Sequence, residues 1–488
     1  MLLDPRPQLL RPARVRTGVA VPVVACLVLA ALSVVLLPST PSYDPWAWIV
    51  WGREITQGDL DTVFGPSWKP LPVLFTTPLA LAGDLAPDLW LVLARAATLG
   101  AAVVAYRLGT RLAGPLAGVL GALILLLQPT YLRTQLFGYS EGLLVLCGLL
   151  AVERHLDGHR AHAFALGLAA GLLRPEAWPF VGLYALYLLW EERSGAGPAS
   201  SSHVTAFGTR SRFWWLTTGG VAMVALWVLP ELWGSGNLFR AAERANDPNP
   251  GSPAFAAVPS LAVLEDFVRA LGPLAIAGLI VAPLAARSRA AAGEGRHGVA
   301  LLGALAASWL GLVAAMTEMG FAGNLRYLFL PMGFAAVVAG AGVAWAVGWL
   351  ATGRDTARGR RVVALGATAV AAAVLALTAA LELPDEAELV AYEAQLREEL
   401  PAALEQAGGP RALLDCGEVA VHPFMVPWAA WELEVHTQRL VLETGGPGAV
   451  IRAGYRPGAD PLPAPGVLAG APVVGRTELW EVTARCGR

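Results

Sequence analysis

Charge is what this sequence has least of: Asp, Glu, Lys and Arg make up 15% of its 488 residues, against about 25% in an ordinary soluble domain. That shortage argues against a soluble protein. Lysine is nearly absent, Lys69 being the only one among 35 basic side chains. The Arg and Ala bias reflects a GC-rich coding sequence, so Arg abundance alone says little. A formal charge of −2 supplies neither the basic field that a nucleic-acid partner needs nor the high net charge of a disordered chain. With four Cys, no CxxC and no Cys/His cluster, a disulfide scaffold, a zinc finger and dithiol redox chemistry are excluded.

What is present is apolar. Hydrophobic residues make up 56% of the chain, in runs close to the about 20 residues that a helix needs to cross the hydrocarbon core. They predict an all-α polytopic bundle of eleven spans, near 17–37, 88–106, 113–129, 138–152, 162–174, 176–190, 213–233, 268–286, 298–318, 327–350 and 362–381. Arg174-Pro175-Glu176 interrupts the fifth and sixth, which marks a broken or tilted crossing. Arg recurs on alternate breaks: Arg6, Arg11, Arg14 and Arg16, then Arg107 and Arg111, Arg154 and Arg160, Arg193, Arg210 and Arg212, Arg287, Arg289 and Arg296, and Arg354, Arg358, Arg360 and Arg361. The positive-inside rule makes those breaks cytoplasmic. Residues 1–16 are then a cytoplasmic segment, the first span an uncleaved anchor within a transmembrane domain of residues 17–381, and the C-terminus is outside.

Two outer segments are too long to be connectors: residues 38–87, the first loop, and residues 382–488. In the second, Glu386–Gln406 reads as a helix, while Arg411–Leu414, Arg439–Leu442 and Glu478–Val482 read as strands of a small α+β domain. Cys416 and Cys486 both fall there, where a disulfide can persist; the alternative is two free buried thiols. Cys26 and Cys147 lie within spans as packing residues.

Ionisable groups beside a membrane are costly, so those at the outer ends of the spans are functional candidates. The first loop holds Asp44, Arg53, Glu54, Asp59, Asp61 and Lys69; beyond it come Arg95, Arg133, Glu141, Arg174, Glu176, Arg240, Glu243, Arg244, Asp247 and Arg326. Asp44-Pro45 opens a short amphipathic helix carrying Trp48, Trp51 and Ile55 near one face. Asp44 is thus either a helix N-cap or a chemical group. The tryptophans are either an interfacial belt or a sugar platform. Glu141 is either a helix-start acid, favoured by the macrodipole, or part of a site.

Asp44 just past the first span, Arg53-Glu54 about ten residues on, Gly58-Asp59, and Lys69-Pro70-Leu71-Pro72 before an apolar stretch together resemble the first loop of GT-C glycosyltransferases. The similarity is to the branch with protein O-mannosyltransferases and lipid A aminoarabinose transferases. In that branch Glu usually follows the acid, where this chain has Pro45, and the later motif reads Lys-Pro-Pro-Leu. Arg95, Leu173-Arg174-Pro175-Glu176 and Leu325-Arg326-Tyr327-Leu328 extend the resemblance over residues 15 to 350. The resemblance implies transfer of a hexosyl or pentosyl unit, with inversion, from a polyprenyl-phosphate donor to an acceptor hydroxyl of a glycan, lipid or protein. The setting it implies is the outer face of a bacterial, actinobacterial-type plasma membrane. Asp44 would be the general base. Lys69, Arg95, Arg174 and Arg326 would bind the donor phosphate, with Glu54, Glu141, Glu176 and Tyr327 supporting or orienting the acceptor. No cofactor is implied. A divalent metal on Asp44, Asp59, Asp61 and Glu141 stays open, although no spacing matches a metal loop. The rival classes are a transporter or flippase, for which no internal repeat is visible, and a membrane scaffold with an outer sensor domain.

Overall fold

The computed structural model describes residues 20–194, 209–287, 293–352, 357–454, 456–463 and 468–487. Residues 1–16 with their four Arg, and also Arg289 and Arg354, lie outside the described residues, as do the side chains of Arg210, Arg212, Arg360 and Arg361. The helices run α1 Ala20–Leu36, α2 Tyr43–Gln57, α3 Pro70–Leu79, α4 Ala86–Ala113, α5 Pro115–Leu126, α6 Pro129–Leu136, α7 Glu141–Leu156, α8 Arg160–Gly171 and α9 Trp178–Ser194. They continue with α10 Thr209–Ser235, α11 Arg240–Ala245, α12 Pro259–Ala285, α13 Glu294–Glu318, α14 Phe329–Thr352, α15 Ala357–Gln406, α16 Gly409–Cys416 and α17 Val426–Glu432.

Among the described residues six helices are long and apolar enough to cross a membrane, or seven if α5 and α6, bent by 64°, form one broken span. Several expected spans fall on shorter helices: α1 has 17 residues, α7 16, α8 12 and α9 17. At 1.5 Å per residue α7 extends about 24 Å, short of the roughly 30 Å of hydrocarbon. Apolar side chains nevertheless cover the outside of the bundle, with Leu183, Val221, Leu284 and Leu365 each more than 60% exposed. A surface of that kind is matched by lipid, and the chain is a multi-pass membrane protein.

The centre of the bundle is α14, 89% buried along its span. Small residues let its neighbours approach: a Cβ on Gly278 of α12 would stand 2.8 Å from Ala339 Cα. Without a hydrophobic driving force inside lipid, such close backbone contact is what holds helices together. Ends of the helices sort by charge. Arg111 with Asp157 (2.7 Å), Arg107 with Glu153 (3.0 Å) and Arg160 with Glu191 (3.1 Å) tie the ends of α4, α7, α8 and α9 at one end of the bundle.

At the other end, α15 runs through positions 381 and 382 without a break and carries a five-stranded sheet. Its strands are β1 Glu418–Val421, β2 Leu440–Val441, β3 Gly448–Ala453, β4 Val473–Arg476 and β5 Trp480–Arg485, in the order β2-β1-β3-β5-β4. The β2-β1-β3 pairs are parallel; β3-β5 and β5-β4 are antiparallel. Residues 411–414, expected as a strand, are helical. Gly408 (φ 94°) ends one helix and Pro410 opens the next, a combination that starts helices and leaves strands. A disulfide joins Cys416 to Cys486, with Cα atoms 4.3 Å apart.

The first loop is not an interfacial strap. Trp46, Trp48 and Trp51 are 2%, 0% and 0% exposed and share one core with Trp428 and Trp480 of the C-terminal domain. Neither the belt nor the platform reading of Trp48 and Trp51 survives, because α2 is enclosed between α3, α4 and α17.

Candidate active site

Ser42, in extended backbone, precedes the first turn of α2, and its N–H is anchored to Phe137 O at 3.1 Å. Asp44 is therefore the second helical residue and not the cap. Its carboxylate, 4% exposed, is free for another partner. Arg326, in the turn Leu325–Leu328, donates to Asp44 Oδ2 at 2.5 Å. The α2–α3 crossing brings up the next group. Gly52 passes so close to α3 that a Cβ there would lie 2.6 Å from Thr76 C, and Thr76 Oγ1 donates to Trp48 O at 2.6 Å. Lys69, just ahead of α3, then sits 5.0 Å from the centre of the Trp48 ring, with Nζ 3.9 Å from Asp44 Oδ2 and 3.5 Å from Glu141 Oε1.

Arg174 precedes Pro175, so its backbone is extended (φ −150°, ψ 127°) and α8 must stop there. Its guanidinium donates to Glu141 Oε1, lies 4.1 Å from the Tyr327 ring centre and 3.6 Å from Glu176 Oε1. Three cations and three carboxylates are thus interleaved in one buried wall. Burial pushes the Lys69 ammonium down to about 8; Arg174 and Arg326 add to that, while Glu141 and Asp44 oppose it. Its Nζ makes no hydrogen bond. Its two carboxylate partners stand off at 3.5 and 3.9 Å, so its N–H donors are open to an incoming anion.

That wall lines a cavity of about 840 Å³, which Asp44, Lys69, Arg174, Glu176, Arg326 and Tyr327 all reach. Two of the expected residues lie elsewhere. Arg95 donates to Ser33 Oγ at 3.2 Å and Leu136 O at 2.9 Å, tying α1 and α6 to α4. Glu54 belongs to the seam with the C-terminal domain: Oε1 meets His436 Nδ1 at 2.8 Å and Oε2 accepts from Asp61 N at 3.0 Å. Asp59 meets the other His436 nitrogen at 3.0 Å. Burial raises the Glu54 carboxyl to about 7, and its two carboxylate partners raise His436. Arg53 completes the seam, donating to the carbonyls of Ala430, Trp431 and Val435 at the end of α17.

Among the described residues no group of three or more His, Cys, Asp or Glu is placed to hold a metal. Asp44 and Glu141 are separated by Lys69, Asp59 meets His436 in the seam, and Asp61 accepts from Val63 N in its own loop. Sequence reasoning missed the clamp on the first loop. Arg240 donates to Gly65 O and Pro66 O, both at 3.0 Å, and to Glu231, whose other oxygen accepts from Thr62 at 2.7 Å. Glu231 lies inside an apolar span, and a lone acid there was the available signal.

No protein-family model and no curated protein matches the sequence. Among solved structures, ArnT from Cupriavidus metallidurans bound to undecaprenyl phosphate matches over 95% of this chain and 97% of its own, with a TM-score of 0.55 and 14% identity. The apo state of the same protein matches over 96% and 98%, with a TM-score of 0.52 and 15% identity. At such identities the likeness establishes the fold. It is that of the aminoarabinose transferase ArnT, a GT-C enzyme.

Proposed function

We propose that this protein is a membrane glycosyltransferase that takes a hexosyl or pentosyl unit from a polyprenyl-phosphate donor and delivers it, with inversion, to an acceptor hydroxyl at the outer face of a bacterial plasma membrane. The observation that carries the reading is Lys69: a buried ammonium without a hydrogen bond, at the wall of an 840 Å³ cavity, between the carboxylates of Asp44 and Glu141. ArnT, of the same fold, binds undecaprenyl phosphate. In the reaction the acceptor oxygen bonds to the anomeric carbon as its proton passes to Asp44, and the bond from that carbon to the phosphate oxygen breaks. The leaving lipid phosphate gains negative charge as it departs. Lys69, Arg174 and Arg326 are preplaced to stabilise that charge where water is excluded. Arg326 holds Asp44 Oδ2, which orients the carboxylate.

Native mass spectrometry of the protein with polyprenyl phosphate tests this. A charge-assisted contact is worth about 1.5–3 kcal/mol, so Lys69→Met should bind the lipid roughly tenfold more weakly or worse, while Arg95→Met should bind it as the parent does. Equal retention by the parent and Lys69→Met would sink the reading.

A further inference from the structure

The cavity has a second wall that the transfer chemistry leaves unused. α15 and the C-terminal domain build it with Glu393, Phe424 and Trp428, and Tyr43 and Tyr139 of the bundle also line it. Glu393 makes no hydrogen bond and no ion pair among the described residues. The cation whose field reaches it, Arg133, is held by Glu386 at 2.5 Å. Aromatic side chains share the cavity lining with this carboxylate. Phe424, 53% exposed, meets Tyr43 edge-on with ring centres 6.0 Å apart. Trp428 is fixed parallel to Trp46 at 6.1 Å, and its Nε1 donates to Glu432 at 3.2 Å. Tyr139 is within electrostatic reach of both Asp44 and Glu393, and its ring centre is 5.3 Å from the Arg326 guanidinium. It therefore links the two ends of the cavity.

From this arrangement we infer that the second wall is the acceptor subsite and that it takes a carbohydrate chain. Glu393 accepts hydrogen bonds from ring hydroxyls, and the aromatic faces cover the apolar C–H faces of the sugar, leaving one hydroxyl to reach Asp44 past Tyr139. The inference rests on the transferase reading for the direction in which that hydroxyl points. Two other chemistries fit less well. A cationic amine would enter a cavity that Lys69, Arg133, Arg174, Arg244 and Arg326 line. An extended peptide binds through backbone pairing with a free strand edge, and no described strand residue lines the cavity. A neutral polyol supplies what is missing, since hydroxyls are donors and a carboxylate accepts only.

The experiment is saturation-transfer NMR on the full chain in lipid nanodiscs, with neutral tetrasaccharides of hexopyranose and of pentofuranose units and with a neutral tetrapeptide as probes. Polyprenyl-phosphate retention is measured in parallel. A tetrasaccharide signal is expected whose affinity falls at least tenfold in Glu393→Gln and in Phe424→Ala, while both variants retain the lipid as the parent does. A protein that holds the lipid but gives no saccharide signal, or gives an equal one in Glu393→Gln, overturns the subsite and leaves the donor reading standing. So does a peptide signal that depends on Glu393. Loss of lipid retention by the parent fails the donor reading alone, and Glu393-dependent saccharide binding would still support the subsite.

Discussion

At the scale of single residues, Asp44 carries the sharpest consequence. Replacing it by Asn keeps the shape and removes the proton-accepting oxygen. With Ser42 in the position ahead of the helix, no capping role remains to confuse the outcome. Turnover of Asp44→Asn should fall by roughly 10² to 10⁴, the usual range for a lost general base, with polyprenyl-phosphate retention kept. Near-parental turnover would point instead to Glu141 or Glu176 in the same wall. That Asp44, Lys69, Arg174 and Arg326 share one cavity was legible in the sequence because each is pinned by its immediate neighbours: a helix start, an X-Pro step, a turn before a span. Arg95 was not. A guanidinium inside a helix reaches a ligand or a neighbour's carbonyl equally well, and only the approach of Leu136 O decided it.

The elements around the site add two testable properties of the seam. Arg53, Glu54 and Asp59 lie on or just after α2, and all three engage the segment Ala430–His436. Glu54 rises from an ordinary 4.5 to about 7 on burial, and His436 rises above 6.5. Both therefore hold protons more tightly docked than free. Their contribution to docking is full below the free values and is lost as pH rises through the docked ones, Glu54 near 7 and His436 above 6.5. Amide exchange in α17, corrected for intrinsic rates, should show weaker protection at pH 8.5 than at pH 6, and Glu54→Gln, which removes the buried carboxyl and a partner of His436, should flatten the difference. Protection that rises with pH would contradict the assignment. The disulfide acts on the same domain. It closes a separation of 70 residues, and Cys416→Ser should cost the domain about 2–5 kcal/mol against denaturant; a loss below about 1 kcal/mol would mean that the ends are held by other contacts. The helix at 411–414 escaped sequence reasoning because four apolar-rich residues have no period to read. Its punctuation, Gly409-Pro410, was the better guide.

For the whole molecule, a bundle of apolar helices followed by a more polar C-terminal segment was legible because hydropathy is a summed property; the number of spans was not, since several apolar runs fall on helices of 12 to 17 residues. The burial of the α2 tryptophans was not: Trp90 and Trp68 pack on Trp48 and Trp51, and Trp46 depends on Trp428, nearly 400 positions away, stacking on it. The same scale decides orientation. Glu141, paired with the cavity residues Lys69 and Arg174, opens α7, and Arg154 sits in its last turn; α8 starts at Arg160 and ends beside Arg174. Arg107 and Arg111 lie toward the end of α4, far from Lys69. Cations that serve no site thus collect at the end opposite the cavity, where they pair with Glu153, Asp157 and Glu191. We propose, by the positive-inside rule, that this end is cytoplasmic and that the cavity with residues 382–488 faces out. The parent's own thiols do not interfere, since Cys26 and Cys147 are buried and the other two are bridged. A single Cys at Glu405, exposed on α15, should react in intact cells with an impermeant maleimide, while one at Arg107, 45% exposed in its side chain, should react only after the membrane is opened. The reverse pattern would invert the protein and place the site on the cytoplasmic face, where a donor presented from outside could not reach Asp44.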